Sequence, residues 1–156
     1  MKLLMDSDCL IKLVKSSLKE IVLRSFGVEI PPLVKKEVVD DSTKQPDAVI
    51  VKNNLEKKLL TVSRPTRAAS KGEEAVFDVF QSGQYDAICT DDKRFIKRLR
   101  LFDLPYLTPA VLIAVMLRQG KITAKEAQEK LESLAPLISD EEYLTMKRFF
   151  ANWRES

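Results

Sequence analysis

The sequence predicts an α/β fold: a three-layer α/β/α sandwich around a parallel sheet of about five strands, closed by a helical C-terminal region. Three observations carry this reading. Short apolar runs alternate with longer stretches of helical periodicity along most of the chain. Those runs are bounded by Gly, Pro or Asp and are apolar nearly throughout, as buried parallel strands are. Beyond Leu107 the strand-like runs stop and only helical patterns follow. A chain of 156 residues with 45% hydrophobic content can bury one sizeable core, so residues 1–156 read as a single ordered domain.

The first strand is the apolar run Lys2 to Met5, which stops at Asp6. Asp8 is placed to open the following helix, where a short carboxylate caps free N–H groups and suits the dipole. Asp6, at the end of a central strand, has no such duty in this reading, so its burial calls for a partner or a metal. Cys9 to Phe26 shows helical spacing, with a possible break near Ser16-Ser17. Gly27 ends it, and Val28 to Ile30 is the second strand. Pro31-Pro32 starts a helix from Leu33 to Val39, since proline is tolerated in a first turn.

After a polar break, Asp47 to Leu59 is amphipathic, with Val49, Ile50, Leu55, Leu59 and Leu60 as its apolar face. Leu60 to Val62 is a third strand, and Ser63 to Lys71 a basic loop. Gly72-Glu73-Glu74 opens a helix that turns Ala75, Val76, Val79 and Phe80 inward and ends at Gly83. Ala87 to Thr90 is a fourth strand, ending in Asp91-Asp92. A basic helix follows from Lys93 to Phe102, then a fifth strand from Leu104 to Leu107. Thr108 caps a helix begun by Pro109. Thr123 with Glu126, and Ser139 with Glu142, have capping-box spacing and start the last two helices.

Composition narrows the chemistry. There is no histidine, so imidazole acid/base chemistry and imidazole metal ligation are excluded. Cys9 and Cys89 lie in apolar surroundings and make neither a disulfide framework nor a metal set. With no apolar run of membrane-spanning length and no signal-peptide pattern, a reducing, cytoplasmic setting is expected. The net charge of +3, from 26 basic and 23 acidic residues, is too mild to argue for nucleic acid by itself. Its distribution is more telling: Lys93, Arg94, Lys97, Arg98 and Arg100 share one stretch, and Arg64 and Arg67 another.

Acidic residues recur at equivalent places. Asp6 and Asp91 end the first and fourth strands, while Glu37 and Glu73 lie in helices that follow strands. Carboxylates converging on one rim repel each other unless a cation neutralises them, and Mg²⁺ or Mn²⁺ accepts such oxygen ligands. A metal held this way suits phosphodiester hydrolysis by activated water. Each position also has an ordinary reading: Glu37 as a solvated helix residue, Glu73 and Glu74 as dipole partners, Asp91 or Asp92 as an N-cap.

The ordered set Asp6-Ser7 with Leu10-Ile11, Val34 to Glu37, Gly72-Glu73 and Thr90-Asp91-Asp92-Lys93-Arg94, followed by Pro109 to Gly120 and Ile122, resembles the PIN-domain pattern, in particular the VapC-like ribonuclease toxins and their prokaryotic relatives. The resemblance covers nearly the whole chain. It implies that Asp6, Glu37, Glu73 and Asp91 are the catalytic and metal-binding carboxylates. Glu73 is preferred to Glu74 by its spacing of eighteen residues before Asp91. Ser7, Asp8, Glu74, Thr90 and Asp92 would support the site, Asp8 as an added ligand or only a cap. The implied activity is Mg²⁺- or Mn²⁺-dependent cleavage of RNA. The implied setting is the toxin half of a toxin–antitoxin pair, with a small antitoxin protein as partner and a homodimer as assembly.

Lys93, Arg94, Lys97 and Arg98 are the candidate RNA-binding residues, since carboxylates alone repel phosphate. Two alternatives stand beside this. A catalytically weak PIN fold would act as an RNA- or protein-binding module. A haloacid-dehalogenase-like phosphatase would use Asp6 as nucleophile and Asp8 as acid/base, although the chain is short for that fold and its four glycines are few.

Overall fold

The computed structural model describes residues 1–40, 46–64 and 72–154. At its centre is strand β1 (Lys2–Met5), whose Leu3, Leu4 and Met5 have no exposed surface. It is apolar on both faces because helices cover both. β1 pairs in parallel with β2 (Gly27–Ile30) on one side and with β4 (Ala87–Cys89) on the other. β3 (Leu60–Val62) extends the sheet beyond β2 and β5 (Tyr106–Leu107) beyond β4, giving the order β3-β2-β1-β4-β5 with every pair parallel.

Helices α1 (Ser7–Lys15) and α2 (Lys19–Ser25) join β1 to β2. The route to β3 runs through α3 (Pro32–Lys35), a π-helical turn (Lys36–Asp40) and α4 (Pro46–Glu56). Helix α5 (Gly72–Ser82) brings the chain back across the sheet to β4, and α6 (Lys93–Leu101) leads to β5. Right-handed crossovers that run in opposite directions along a sheet fall on opposite faces. So α1, α2 and α4 cover one face, where α1 packs on α4, and α5 and α6 cover the other. There Phe77 of α5 meets Phe102, just past α6, edge to face at 5.3 Å between ring centroids. The expected α/β/α sandwich is therefore the architecture. Helices α7 (Pro109–Arg118), α8 (Ala124–Leu134) and α9 (Asp140–Ala151) pack on one another, and α7 also reaches α1.

Local chemistry explains several boundaries. The break between α1 and α2 falls at Ser16-Ser17: Ser16 turns its hydroxyl back onto the Lys12 carbonyl at 2.7 Å, and Ser17 takes a left-handed φ of 62°. Thr123 and Glu126 form both halves of a capping box, but Ser139 and Glu142 form one half, with Ser139 accepting from the Glu142 N–H. Two expectations are corrected. Asp6, not Asp8, is the N-cap of α1: the helix begins at Ser7 with no loop after β1, so the single intervening residue must cap it. Val49 does not belong to the inward face of α4, being 59% exposed; Ala48, Val51 and Asn54 are its buried residues, with Ile50, Leu55 and Leu59 packed against the core beside them as expected. Asn54 is tolerated there because Lys19 donates to it and it donates to Glu20. Among the described residues, no helix is long and apolar enough to cross a membrane.

Candidate active site

In this strand order β2 and β4 leave β1 in opposite directions, so a crevice opens at the carboxyl ends of β1 and β4. Asp6 and Thr90 stand there side by side. The Asp6 N–H donates to the Cys89 carbonyl at 3.1 Å, which extends the strand pairing by one step. One Asp6 oxygen accepts from the Cys9 N–H at 2.8 Å as the cap of α1. Thr90 is fully buried; its side chain hydrogen-bonds Asp6, and its hydroxyl accepts from the Asp92 N–H at 3.2 Å. Asp92 in turn caps α6, accepting from the Phe95 N–H at 2.9 Å. Two helix N-termini are thus anchored beside each other at the crevice, a favourable place for negative charge.

A cavity of about 170 Å³ opens here. Its wall carries the carboxylates of Asp6, Asp8, Glu37, Glu73 and Asp92, with the Ser7 hydroxyl and the Phe95 ring completing it. Glu37 arrives from the π-helical turn, an irregularity often found at functional positions, and Ser7 donates to its Oε2 at 2.7 Å. Glu73 arrives from the first turn of α5, across the sheet from Glu37's layer. Burial pushes the Asp6 carboxyl up to about 7, and the charges of Asp8 and Asp91 push the same way, against the hydrogen bonds from Thr90 and the Cys9 backbone. A carboxyl so displaced, in a cleft with like charges around it, marks a place where a cation would be taken up.

The remaining expected residues are placed differently. Asp91 does not line the cavity; its carboxylate, 9% exposed, is taken by the Lys12 ammonium. Glu74 is held by Arg98 through two hydrogen bonds, one of them Nη2 to Oε2 at 3.2 Å, which keeps its carboxyl below the usual range. Arg98 also lies 3.8 Å from Glu73 and stacks over the Phe77 ring at 4.5 Å. It is therefore engaged within the protein, whereas Lys93, Arg94 and Lys97 present exposed side chains along α6. Arg64 is exposed, and Arg67 lies outside the described residues. Sequence reasoning passed over Lys12. The signal was its place four residues after Asp8, on the same face of α1. Cys9 and Cys89 are free and buried, and burial raises both thiols, so neither serves as a nucleophile.

The donors facing the cavity are hard oxygens without nitrogen or sulfur, which suits Mg²⁺ or Mn²⁺. Among the described residues no group of three or more acidic or cysteine side chains forms a ready metal cage. That fits an ion bound through one or two carboxylates that keeps waters of its own. The family model DUF3368, described as a PIN domain, matches residues 2–148. No curated protein matches the chain.

Proposed function

The chain belongs to the PIN-domain family, whose members are generally nucleases that use divalent metal ions, and on that premise we propose that it is a Mg²⁺- or Mn²⁺-dependent endoribonuclease. One observation carries the proposal: Asp6, Glu37 and Glu73 come from β1, the turn after α3 and the start of α5, far apart in sequence, and all face one small cavity. Asp6, Glu37 and Glu73 would hold the ion, one or two of them directly and the rest through its waters, and Asp8 and Asp92 would add negative potential around it. When bound, a divalent cation supplies Lewis acidity to the phosphoryl group and makes water a competent nucleophile near neutral pH. Ser7 orients Glu37, and Thr90 orients Asp6. Family membership also sets aside the phosphatase alternative built on Asp6 and Asp8.

The finer reading follows the VapC-like resemblance. The protein is the toxin of a toxin–antitoxin pair, acting in the cytoplasm as a homodimer and restrained by a small antitoxin protein. Incubation of the purified chain with end-labelled single-stranded RNAs tests the activity. Internal cleavage is expected with either Mg²⁺ or Mn²⁺ and none with EDTA. Folded protein that binds these RNAs yet cuts none with either ion would favour the binding-module alternative.

RNA reaches an acidic site only if basic residues attract it. Lys93, Arg94 and Lys97 run along exposed α6 from the edge of the cavity, and Arg98 is excluded because Glu74 holds it. Replacing the three with Gln is expected to weaken binding of an uncleavable RNA. The slope of log affinity against log salt should flatten by about 2, at roughly 0.7 per single-strand phosphate contact. An unchanged slope would move the RNA path away from α6.

A further inference from the structure

We propose that Lys12 is a built-in cation of the site: its ammonium neutralises Asp91, so the centre takes one divalent ion rather than two, and Asp91 positions Lys12 instead of ligating metal. This rests on the metal-dependent nuclease reading above. The placement is specific. Asp91 follows β4 and Lys12 lies on α1, 79 residues apart, and the pairing of β1 with β4 brings them together. Asp91 is 9% exposed, and Lys12 is 29% exposed on the same face as Asp8. The cavity admits carboxylates from Asp6, Glu37 and Glu73 and leaves Asp91 outside its lining. The charges share one neighbourhood: the Cys9 thiol, raised chiefly by burial, is raised further by Asp6 and Asp91 and lowered by Lys12.

Electrostatics gives the arrangement its consequence. Five carboxylates around a 170 Å³ cavity attract cations strongly, and a sixth beside them would build a second metal position. A fixed ammonium at that point supplies a positive charge whose presence does not depend on the concentration of free ion. It is too compact and too well bonded to Asp91 to be displaced easily, because parting a shielded ion pair leaves an uncompensated charge.

Calorimetric titration of the full-length chain with Mn²⁺ tests this, alongside the Asp91→Asn variant and the double variant Lys12→Met with Asp91→Asn. The wild type is expected to take one Mn²⁺. Asp91→Asn alone leaves the Lys12 charge unopposed and should weaken Mn²⁺ about tenfold by repulsion. The double variant removes both charges together, which avoids a lone buried charge, and should return to within about threefold of the wild type with one ion bound. A double variant as weak as Asp91→Asn would make Asp91 a direct ligand and overturn the inference. So would two Mn²⁺ on the wild type. A wild type that binds no Mn²⁺ would overturn the nuclease reading itself, and the inference with it.

Discussion

Asp6→Asn is expected to lower RNA cleavage by about a hundredfold or more while making the metal-free protein more stable at about pH 8. The two effects have one cause. The Asp6 carboxyl is displaced from 3.8 to about 7, chiefly by burial. Between these values the folded protein holds a proton that the unfolded chain has released. Stability therefore falls as pH rises through this window, and the loss is complete above about pH 7. A displacement of this size corresponds to roughly 4 kcal/mol as an upper bound, since each pKa unit is about 1.4 kcal/mol. Asn removes the ionisation and still caps α1 by accepting from the Cys9 N–H, so the local structure survives. Urea unfolding at about pH 5 and pH 8 would show the wild type losing stability and the variant staying level. Mn²⁺ should raise the melting temperature of the wild type and barely affect the variant. A variant no more stable than the wild type at the higher pH would show that Asp6 is not the strained group.

The second large effect separates two neighbouring glutamates. Glu73→Gln is expected to cost about a hundredfold in cleavage, because its carboxylate lines the cavity together with those of Asp6 and Glu37. Glu74→Gln should change cleavage by less than about fivefold, since that carboxylate is spent on Arg98, a surface pair of modest value. Single-turnover assays at saturating Mn²⁺ would distinguish them. The opposite ranking would place Glu74 at the metal and give Glu73 the contact with Arg98, for which the 3.8 Å separation already leaves room.

Much of this protein is legible along the chain. The alternation of apolar runs and helical periods yields the five strands, most plainly at Leu3 to Met5 and Ala87 to Cys89, which are buried throughout and so must be apolar. Gly27, Pro31-Pro32 and Gly120, with its left-handed φ of 71°, mark boundaries by backbone chemistry alone. The Thr123–Glu126 box needs only its own four residues. The order of Asp6, Glu37, Glu73 and Asp91 also follows from sequence, and three of them do meet at one cavity.

What the tertiary structure decided are the pairings. Cap assignment at Asp6 turned on the absence of a loop after β1, one residue that periodicity does not resolve. On α4, Ile50 and Leu55 pack on the core as their spacing predicts, but the buried polar Asn54 is accepted only because Lys19 and Glu20 stand opposite it. Arg98 is held by Glu74, 24 residues earlier, and Asp91, outside the cavity lining, is paired with Lys12. Periodicity and capping are local, set by a residue and its near neighbours in the chain. A salt bridge between α1 and the end of β4 exists only because β1 and β4 lie side by side, and strand order is set by how the whole core packs.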